Sequence, residues 1–373
     1  MRVGVPKEIK TQEHRVGLTP GSVRELVHNG HEVLVQHNAG HDIGMDDEDY
    51  VAAGAKIVPD AASVFGEADM VVKVKEPQPE ECKMLRPEQV LFTYLHLAPD
   101  PEQTTALMES GAIAIAYETV TDAAGGLPLL SPMSEVAGRM SIQAGAHCLE
   151  ITQGGRGMLL GGVPGVLAAK VVVLGGGVVG TNAVRMAMGL EASAFVLDIN
   201  LRRLYDLDLQ FGQTLNTVFS TVNNLEEHVT TADLVVGAVL VPGGAAPKLM
   251  TEDMVRGMKR GAVFVDVSID QGGCSETSRP TTHDQPTYVE HDVVHYCVTN
   301  MPGAVARTST FALNNATLPF ALALANKGWQ RALADDIHLK RGLNVARGQI
   351  TYEAVANDQG RPFTPADTVL GAS

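Results

Sequence analysis

Three glycines that follow an apolar run near the middle of the chain constrain the fold more than any other feature of the sequence. The stretch VVVLGGGVVGTNAVRM occupies residues 171–186, with glycines at positions 175, 177 and 180. Its composition is open to three interpretations: a dinucleotide site, a membrane span, or a tight strand-to-helix turn without a ligand. The residues around the glycines distinguish among them.

A membrane span is the interpretation that the sequence disfavours. The apolar window 158–180 carries a single charged residue, Lys170, but it also holds Pro164 and several glycines. Proline and glycine are the residues least compatible with an uninterrupted helix. A strand of a soluble core fits this window better.

The glycine spacing instead predicts a dinucleotide-binding turn. A strand over Val171–Leu174 precedes it, and a helical pattern beginning at Val178 follows it. In such a turn Gly175 permits the tight bend, Gly177 lets the backbone approach a pyrophosphate, and Gly180 allows close packing of helix on strand. The N-terminus of the helix then faces the phosphates.

An acidic residue stands where this type of site needs one. Asp198 ends the next predicted strand, 23 residues after Gly175, close to the ~20 expected for the carboxylate that binds the ribose 2′-hydroxyl. A carboxylate there repels the 2′-phosphate of NADP, so NAD is favoured. Arg202 and Arg203 lie just downstream and keep NADP open as an alternative.

Short apolar runs alternate with helical patterns along the rest of the chain, which predicts parallel sheets covered by helices. We predict helices over residues 19–30, 101–111, 135 to about 153, and 308–329, with no strands after residue 303. The predicted strands form two series: 1–6, 31–36, 68–75, 88–96 and 112–118, then 170–177, 193–200, 232–240, 262–270 and 294–300.

A length of 373 residues favours about two domains. The predicted fold class is α/β, with two doubly wound parallel-sheet, Rossmann-like domains separated by a cleft. We assign residues 1–128 plus 307–373 to a discontinuous substrate and catalytic domain, and residues 129–306 to a dinucleotide-binding domain. The turn-rich segment 121–134 is the expected crossing between them.

Charge and cysteine content limit the partners. The formal net charge is −15 and the pI is about 5.2, which argues against nucleic acid and anionic membranes and favours small molecules. Four widely spaced cysteines and the histidine spacings give no metal-binding pattern. Because the N-terminal apolar run breaks at Pro6 and Lys7, we expect no signal peptide and a cytoplasmic location.

Polar residues that end apolar runs are the candidates for chemistry, because ligands of open parallel sheets bind beyond the carboxyl ends of the strands. Arg15 follows the first strand, Lys75 and His96 end two others, and Asp270 and Asn300 end strands of the second series. An arginine fork and a lysine suit a carboxylate and a carbonyl, and a histidine handles protons near neutral pH. A solvated surface position is the alternative for each.

These motifs together resemble the alanine dehydrogenase family over essentially the whole chain. The blocks that carry the resemblance are MRVGVPKE, EHRVGLTP, VVKVKEP, LFTYLHLA, AYETV, PMSEVAGRM, GGVPGV, LGGGVVG, VLDIN, GAVLVPG, APKL, VDVSIDQGGC, SRPTTHDQPT and NMPGAVARTST.

The resemblance implies an enzyme that carries out NAD-dependent, reversible oxidative deamination of L-alanine to pyruvate and ammonia, as a homohexamer. By motif, it implies that Arg15 binds the substrate carboxylate and that Lys75 contacts the carboxylate and the keto oxygen. It also implies that His96 is the proton donor and acceptor and that Asp270 is its acidic partner near the nicotinamide.

The resemblance also implies the cofactor contacts. Arg203 stands where relatives commonly carry lysine. Tyr94 and Met133 are expected to wall the substrate pocket. The expected NAD-binding residues are Ser134, Gly175, Gly177, Val178, Gly180, Asp198, Arg203, Ser220, Val239, Leu240, Ile269, Asp270, Arg279, Asn300 and Met301.

Three other functions share parts of this pattern: the soluble NAD(H)-binding component of a proton-translocating transhydrogenase, a two-domain dehydrogenase acting on a 2-hydroxy acid or saccharopine, and a non-catalytic NAD-binding protein. A transhydrogenase component needs a membrane-anchored partner, and a non-catalytic protein has no need of proton-handling residues. The presence of Arg15, Lys75 and His96 therefore disfavours the transhydrogenase component and the non-catalytic protein, and leaves the other two-domain dehydrogenase as an alternative.

Overall fold

The computed structural model describes residues 1–240 and 246–371, and the chain forms two units. The first unit consists of Met1–Pro132 together with Val305–Ser373, and the second consists of Met133–Ala304. Each unit is built around its own β-sheet, with helices in the connections between strands.

The first unit begins with six strands and five helices that alternate along the chain. The strands are β1 (Arg2–Val5), β2 (Glu32–Gln36), β3 (Lys56–Val58), β4 (Met70–Val72), β5 (Val90–Thr93) and β6 (Ile113–Ala116). The helices are α1 (Pro20–His28), α2 (Asp47–Ala52), α3 (Ala61–Glu67), α4 (Pro79–Cys82) and α5 (Pro101–Ser110).

These six strands are parallel and lie in the spatial order β3-β2-β1-β4-β5-β6. The chain moves outward from β1 to β3 and then returns to place β4 on the other side of β1. This reversal is the switch point at which doubly wound sheets bind ligands, beyond the carboxyl ends of the strands. The loops that follow β1, β4 and β5 therefore carry the candidate residues of this unit.

The second unit repeats this architecture. Its strands are β7 (Lys170–Leu174), β8 (Ser193–Asp198), β9 (Leu215–Phe219), β10 (Leu234–Gly237), β11 (Val263–Asp266), β12 (Thr287–Glu290) and β13 (Val293–Tyr296). Its helices are α6 (Ser131–Cys148), α7 (Val178–Gly189), α8 (Leu201–Phe211), α9 (Val222–Thr230) and α10 (Glu252–Gly257). The order is β12-β13-β11-β10-β7-β8-β9, in which only β12 among the described strands runs antiparallel to its neighbour.

The chain then returns to the first unit through helices and two further strands. These elements are α11 (Ala306–Lys327), α12 (Trp329–Asp335), α13 (Ile337–Lys340), β14 (Leu343–Ala346), β15 (Gln349–Ile350), α14 (Glu353–Gln359) and α15 (Ala366–Gly371). Strand β14 pairs antiparallel with β6, and β15 pairs antiparallel with β14.

The expectation of no strands after residue 303 is therefore wrong. The sequence of β14 is only four residues long and contains a polar residue, Asn344, that hides its apolar pattern. The Asn344 side chain is buried and donates to Thr119 Oγ1 (2.8 Å) and to the Gly342 carbonyl (2.9 Å), which satisfies its amide. Because Thr119 lies 225 residues away in the chain, the local sequence gives no sign that a polar residue at position 344 is satisfied inside a strand.

Both sheets are apolar in their interior. Strand β4 is fully buried, as are β5, β6, β10, β11 and β13, which explains their near-continuous apolar sequences. No helix in the described part of the chain combines the length and hydropathy that crossing a bilayer requires. The apolar window 158–180, considered above as a membrane span, contains β7 and the glycine turn.

Candidate active site

The glycine turn has the local geometry that its sequence predicts. It joins β7 to α7, and Gly175 adopts a φ of 101°, in the left-handed region that suits glycine. A Cβ added at Gly180 would overlap the carbonyl oxygen of Gly175, so this position has room only for glycine. The predicted strand-turn-helix is confirmed.

The beginning of α7 fits a phosphate group. Gly177 is the N-cap residue and has no side chain with which to cap the helix. A Cβ added there would meet no protein atom within 4 Å, so the backbone is open on that side. The first N–H groups of a helix lack intrahelical partners and attract anions. These features are those of a dinucleotide phosphate cradle.

Asp198 lies where the sequence predicts, at the end of β8. Its carboxylate accepts hydrogen bonds from the backbone N–H of Gly176 (2.7 Å) and of Asn200 (2.8 Å). The backbone N–H of Ser220 donates to the Asp198 carbonyl (3.0 Å) just after β9. Asp198 and Ser220 therefore lie together beside the glycine turn.

The two arginines downstream of Asp198 have different surroundings. Arg203 lies against the glycine turn, where Nε donates to the Gly176 carbonyl (2.6 Å) and Nη2 donates to Thr181 Oγ1 (2.5 Å). Arg202 is exposed and forms an ion pair with Asp206 (3.2 Å) on the same helix. Arg203 thus braces the turn, while Arg202 lies on the solvent side of α8.

A serine joins the strand ends of β10 and β11. The backbone N–H of Val239 donates to Ser268 Oγ (3.0 Å), and the Ser268 hydroxyl donates to the Val239 carbonyl (2.7 Å). Leu240 follows and is half exposed. Ser268 belongs to the short 3-10 helix Val267–Gln271, which also carries buried Ile269 and exposed Asp270.

This 3-10 helix is organised by Asp266, a buried carboxylate. Asp266 accepts hydrogen bonds from the backbone N–H groups of Ser268 (3.0 Å) and Cys274 (2.9 Å), and from the Ser278 hydroxyl (2.5 Å). Burial raises the pKa of the Asp266 carboxyl, although these hydrogen bonds oppose the rise. Asp266 therefore fixes the loop on which Asp270 stands.

The other predicted cofactor contacts of the second unit lie on separate elements. Arg279 is exposed, and its guanidinium lies 4.0 Å from the ring centre of Tyr288 in the edge strand β12. The Asn300 carbonyl accepts a hydrogen bond from His283 Nε2 (2.8 Å), and buried Met301 begins the 3-10 helix Met301–Val305. Ser134 lies, half buried, in the first turn of α6.

In the first unit, Arg15 is buried rather than solvated. Only 2% of Arg15 is exposed, and its Nε and Nη2 donate to the two carboxylate oxygens of Glu13 at 2.7 and 2.6 Å. Burial opposes the charged guanidinium, but the hydrogen bonds and charge of Glu13 outweigh it and raise the pKa of Arg15. Arg15 is thus a fixed cation within the loop after β1.

Lys75 lies on a segment that other side chains hold in place. Glu8 accepts hydrogen bonds from the backbone N–H of Val74 (2.7 Å) and of Lys75 (3.4 Å), and the Thr93 hydroxyl donates to the Lys75 carbonyl (2.8 Å). The other oxygen of Glu8 accepts from Lys73 Nζ (3.0 Å).

The Lys73 ammonium is part of a buried triad. It lies between Glu8 and Glu81, and Lys73 Nζ donates to Glu81 Oε1 at 2.7 Å. Burial alone would lower the pKa of Lys73, but the two carboxylates raise it. This ion triad anchors the chain just before Lys75.

His96 is exposed in the loop that follows β5. Its φ is 50°, which is unusual for a residue with a Cβ. Its ring stacks on Tyr94 with the planes 9° apart and the centres 5.7 Å apart. Tyr94 is buried, and its hydroxyl donates to the Leu129 carbonyl (2.5 Å). Burial also raises the pKa of Tyr94, which keeps the phenol neutral.

Several residues that hold the candidate site in place were not identified from the sequence: Glu8, Glu13, Lys73, Glu81, Glu118, Asp266 and Ser268. Glu118 ends the predicted strand 112–118 and was detectable by the strand-end criterion that found His96. The others act through contacts with the backbone, with a near neighbour or with one another, for which their sequence positions give no signal.

The described residues contain no group of three or more His, Cys, Asp or Glu side chains arranged to hold a metal ion. The four cysteines are buried and have free thiols.

Comparisons with known proteins agree with this geometry. Residues 4–137 match the model of the alanine dehydrogenase/PNT N-terminal domain, and residues 141–353 match that of the C-terminal domain. An alanine dehydrogenase of Halomonas elongata is 59% identical over the full length of both chains.

Two solved structures are also similar. An L-alanine dehydrogenase superposes with a TM-score of 0.94 and 53% identity, covering 96% of this chain and 99% of the other. A transhydrogenase from Sinorhizobium meliloti has a TM-score of 0.80 at 24% identity, covering 95% of this chain and all of the other, which shows the fold alone. From its sequence and its fold, the chain belongs to the alanine dehydrogenase/PNT family.

Proposed function

We propose that this chain catalyses the NAD-dependent, reversible oxidative deamination of L-alanine to pyruvate and ammonia. The observation that carries the proposal is the set of Arg15, Lys75 and His96 at the strand ends of the first sheet, in a chain whose relatives are named alanine dehydrogenase. Deamination of an amino acid needs a carboxylate ligand, a carbonyl ligand and a proton carrier together. Oxidation of a 2-hydroxy acid needs the same three groups, and the relatives named alanine dehydrogenase are what favour the amino acid.

The first unit would bind the substrate. Arg15, held rigid by Glu13, takes the carboxylate of alanine, and Lys75 contacts the carboxylate and the keto oxygen of pyruvate. Tyr94 walls the space for the single methyl group. Residues 1–128 with 307–373 are our assignment for this substrate domain, and residues 129–306 are our assignment for the NAD domain.

NAD⁺ supplies the acceptor for the hydride that leaves C2 of alanine. The glycine turn and the amides of α7 would hold the pyrophosphate, and Asp198 the adenosine ribose. Support for NAD over NADP is the charge of Asp198 and the engagement of Arg203 with Gly176 and Thr181. Further contacts are assigned to Ser134, Ser220, Val239, Leu240, Ile269, Arg279, Asn300 and Met301.

The protein residues then carry out the proton transfers of the reaction. Loss of one proton from the ammonium group of alanine and of the hydride from C2 leaves an iminium ion. Water adds to C2 through its oxygen while His96 takes one of its protons, which gives a carbinolamine. His96 returns that proton to nitrogen, the C–N bond breaks with its electron pair on nitrogen, and ammonia leaves as the hydroxyl releases its proton and becomes the keto oxygen of pyruvate. Asp270 would align or neutralise charge along this route. Family resemblance is our ground for proposing a homohexamer, and we also propose a cytoplasmic location.

The test is turnover by purified protein, followed by the near-ultraviolet absorbance of NADH. L-alanine with NAD⁺ is compared with NADP⁺, D-alanine and L-lactate, and the reverse reaction uses pyruvate, ammonium and NADH. We expect ammonium-dependent NADH oxidation and a loss of at least ~100-fold in kcat in His96→Ala, with the Kd for NADH unchanged within about twofold.

Other outcomes would contradict the proposal. NADH binding without turnover in either direction would favour a transhydrogenase component or a non-catalytic binding protein. Oxidation of L-lactate in place of L-alanine would indicate a 2-hydroxy-acid dehydrogenase.

A further inference from the structure

The backbone at His96 is held by a carboxylate from the neighbouring strand end. Glu118 Oε1 accepts hydrogen bonds from the backbone N–H of His96 (2.6 Å) and of Leu95 (3.2 Å), and Oε2 lies at 3.2 Å from the same Leu95 nitrogen. Glu118 is half buried in the 3-10 turn Tyr117–Thr119, directly after β6.

The sheet explains why this carboxylate reaches the loop. Strands β5 and β6 are parallel neighbours, and Thr93 is paired with Ala116 at their carboxyl ends. Beyond that pair the two chains diverge and the regular ladder stops. Glu118 takes over as acceptor for two consecutive N–H groups of the β5 loop, with bonds that its charge strengthens.

Two consecutive N–H groups that converge on one anion need an unusual backbone. His96 has a φ of 50°, in the left-handed region that a residue with a Cβ rarely adopts. Such a conformation persists only when its surroundings fix it. Glu118 fixes the main chain, while the stacking of the imidazole on buried Tyr94 fixes the ring.

We propose that Glu118 is a positioning residue for His96: its carboxylate holds the His96 backbone in the left-handed conformation and so directs the imidazole toward the substrate. This inference rests on the proposed function, in which His96 carries the proton. Because a shift of about 1 Å in a reacting group costs ~100-fold in rate, a carboxylate that touches only the backbone has a large effect on turnover.

The test compares Glu118→Ala and Glu118→Gln with wild type. We expect kcat to fall on the order of 30- to 100-fold in Glu118→Ala, and less in Glu118→Gln because the amide oxygen still accepts one or both N–H groups. The KM for NADH is expected to stay within twofold, since the cofactor contacts belong to other residues. The pH dependence of kcat/KM should keep its shape in both variants, because Glu118 does not itself transfer the proton.

A matched control is available in the same unit. Asp122 Oδ1 also accepts two backbone N–H groups, from Ala124 and Gly126, both at 2.8 Å. Its loop carries no proposed site residue. Asp122→Ala and Asp122→Asn are therefore both expected to leave kcat within twofold of wild type, which distinguishes the loss of any loop-binding carboxylate from the loss of Glu118.

A double substitution tests whether Glu118 acts through His96. In a His96→Ala background, adding Glu118→Ala should lower the residual rate by less than about twofold, because residues that act as a unit are not additive. A further loss as large as in the wild-type background would overturn the proposal. So would a kcat within twofold of wild type in Glu118→Ala, or a missing limb of the pH profile in Glu118→Gln.

Hydrogen exchange gives a readout that does not depend on activity. The backbone amides of Leu95 and His96 should exchange faster in Glu118→Ala than in wild type, while peptides of β5 and β6 keep their protection. Unchanged exchange at these two amides would overturn the proposal even if wild type shows no alanine turnover. Inactive wild type with faster exchange in the variant would reject the proposed function and leave the backbone contact established.

Discussion

At the scale of single residues, the candidate site depends on carboxylates that bind backbone N–H groups. Asp198 illustrates this, since its two oxygens accept from Gly176 and Asn200 on either side of the strand end. Each carboxylate oxygen has a second lone pair. Asp198 is therefore able to brace the glycine turn and to bind a ribose hydroxyl at the same time.

We predict that Asp198→Ala raises the Kd for NADH on the order of 10- to 100-fold, equivalent to ~1.4–2.8 kcal/mol. The variant loses the acceptor for the ribose and the bond that orients Gly176. Fluorescence titration with NADH measures this directly. Arg202→Ala, which removes a surface ion pair with Asp206 and a contact with the ring of Tyr205, is the control and should bind NADH as wild type does. An unchanged Kd in Asp198→Ala would contradict this role.

Sequence reasoning at this scale located residues by their position after a strand. It placed Arg15 in the loop after the first strand and Lys75, His96 and Asp270 at the ends of predicted strands. The structure ends those strands earlier, so that these three residues lie in the loops after β4, β5 and β11. It did not find Glu8, because the bonds from that carboxylate to Val74 and Lys75 join segments more than 60 residues apart. Such contacts depend on strand order, which no local pattern encodes.

At the scale of the element, two glycines in the turn between β7 and α7 have different roles: Gly180 allows close packing of helix on strand, and Gly177 leaves the backbone open. We predict that Gly180→Ala destabilises the protein by about 1–3 kcal/mol, because its Cβ overlaps the Gly175 carbonyl and forces α7 away from β7. Gly177→Ala should cost less than ~1 kcal/mol, since the new Cβ meets no protein atom and the variant loses only the preference for glycine over alanine at an N-cap. Its Cβ fills the space proposed for the pyrophosphate, so NADH binding should weaken.

Denaturant unfolding and NADH titration of both variants check this division. If Gly177→Ala bound NADH as tightly as wild type, the phosphate cradle would lie elsewhere. If Gly180→Ala were as stable as wild type, the close approach of helix and strand would be of no energetic importance.

Elements with a long apolar run were predictable, and short polar ones were not. The strands β7, β8, β10 and β11 lie within the predicted series. The helix predicted over residues 19–30 corresponds to α1, whose N-cap Thr19 accepts a hydrogen bond from Ser22 N–H at its hydroxyl (3.2 Å). Sheet-edge strands such as β3, β9, β12 and β15 were missed, since each exposes polar residues or is only two or three residues long. Their pairing comes from neighbouring strands rather than from their own sequence.

At the scale of the whole molecule, the buried triad of Lys73, Glu8 and Glu81 links stability to pH. Burial raises the pKa of the Glu8 carboxyl above its ordinary value of 4.5, and the Lys73 ammonium only partly offsets this. The folded chain therefore holds a proton on Glu8 at pH values where the unfolded chain has released it. This contribution to stability is complete below about pH 4.5 and is lost as the pH rises through the raised value.

We predict that Glu8→Gln removes this dependence. The free energy of unfolding of the variant, relative to wild type, should shift in favour of the variant as the pH rises above about 4.5. Urea unfolding at a series of pH values measures the difference. Glu80→Gln, on the exposed side of α4, controls for the loss of one negative charge. Parallel stability curves for wild type and Glu8→Gln would contradict the prediction.

The return of the chain to the first sheet also sets an order of events during translation. Strand β6 cannot pair with β14 until the whole second unit has been synthesised. At ~5–20 residues per second this synthesis takes on the order of 10–40 s. Through that interval the first sheet has an open edge of unpaired N–H and C=O groups. The second unit is one continuous stretch of chain, so all its described strands are synthesised before β14 completes the first sheet. The part of the protein that the ribosome begins earlier is therefore the part that it finishes last.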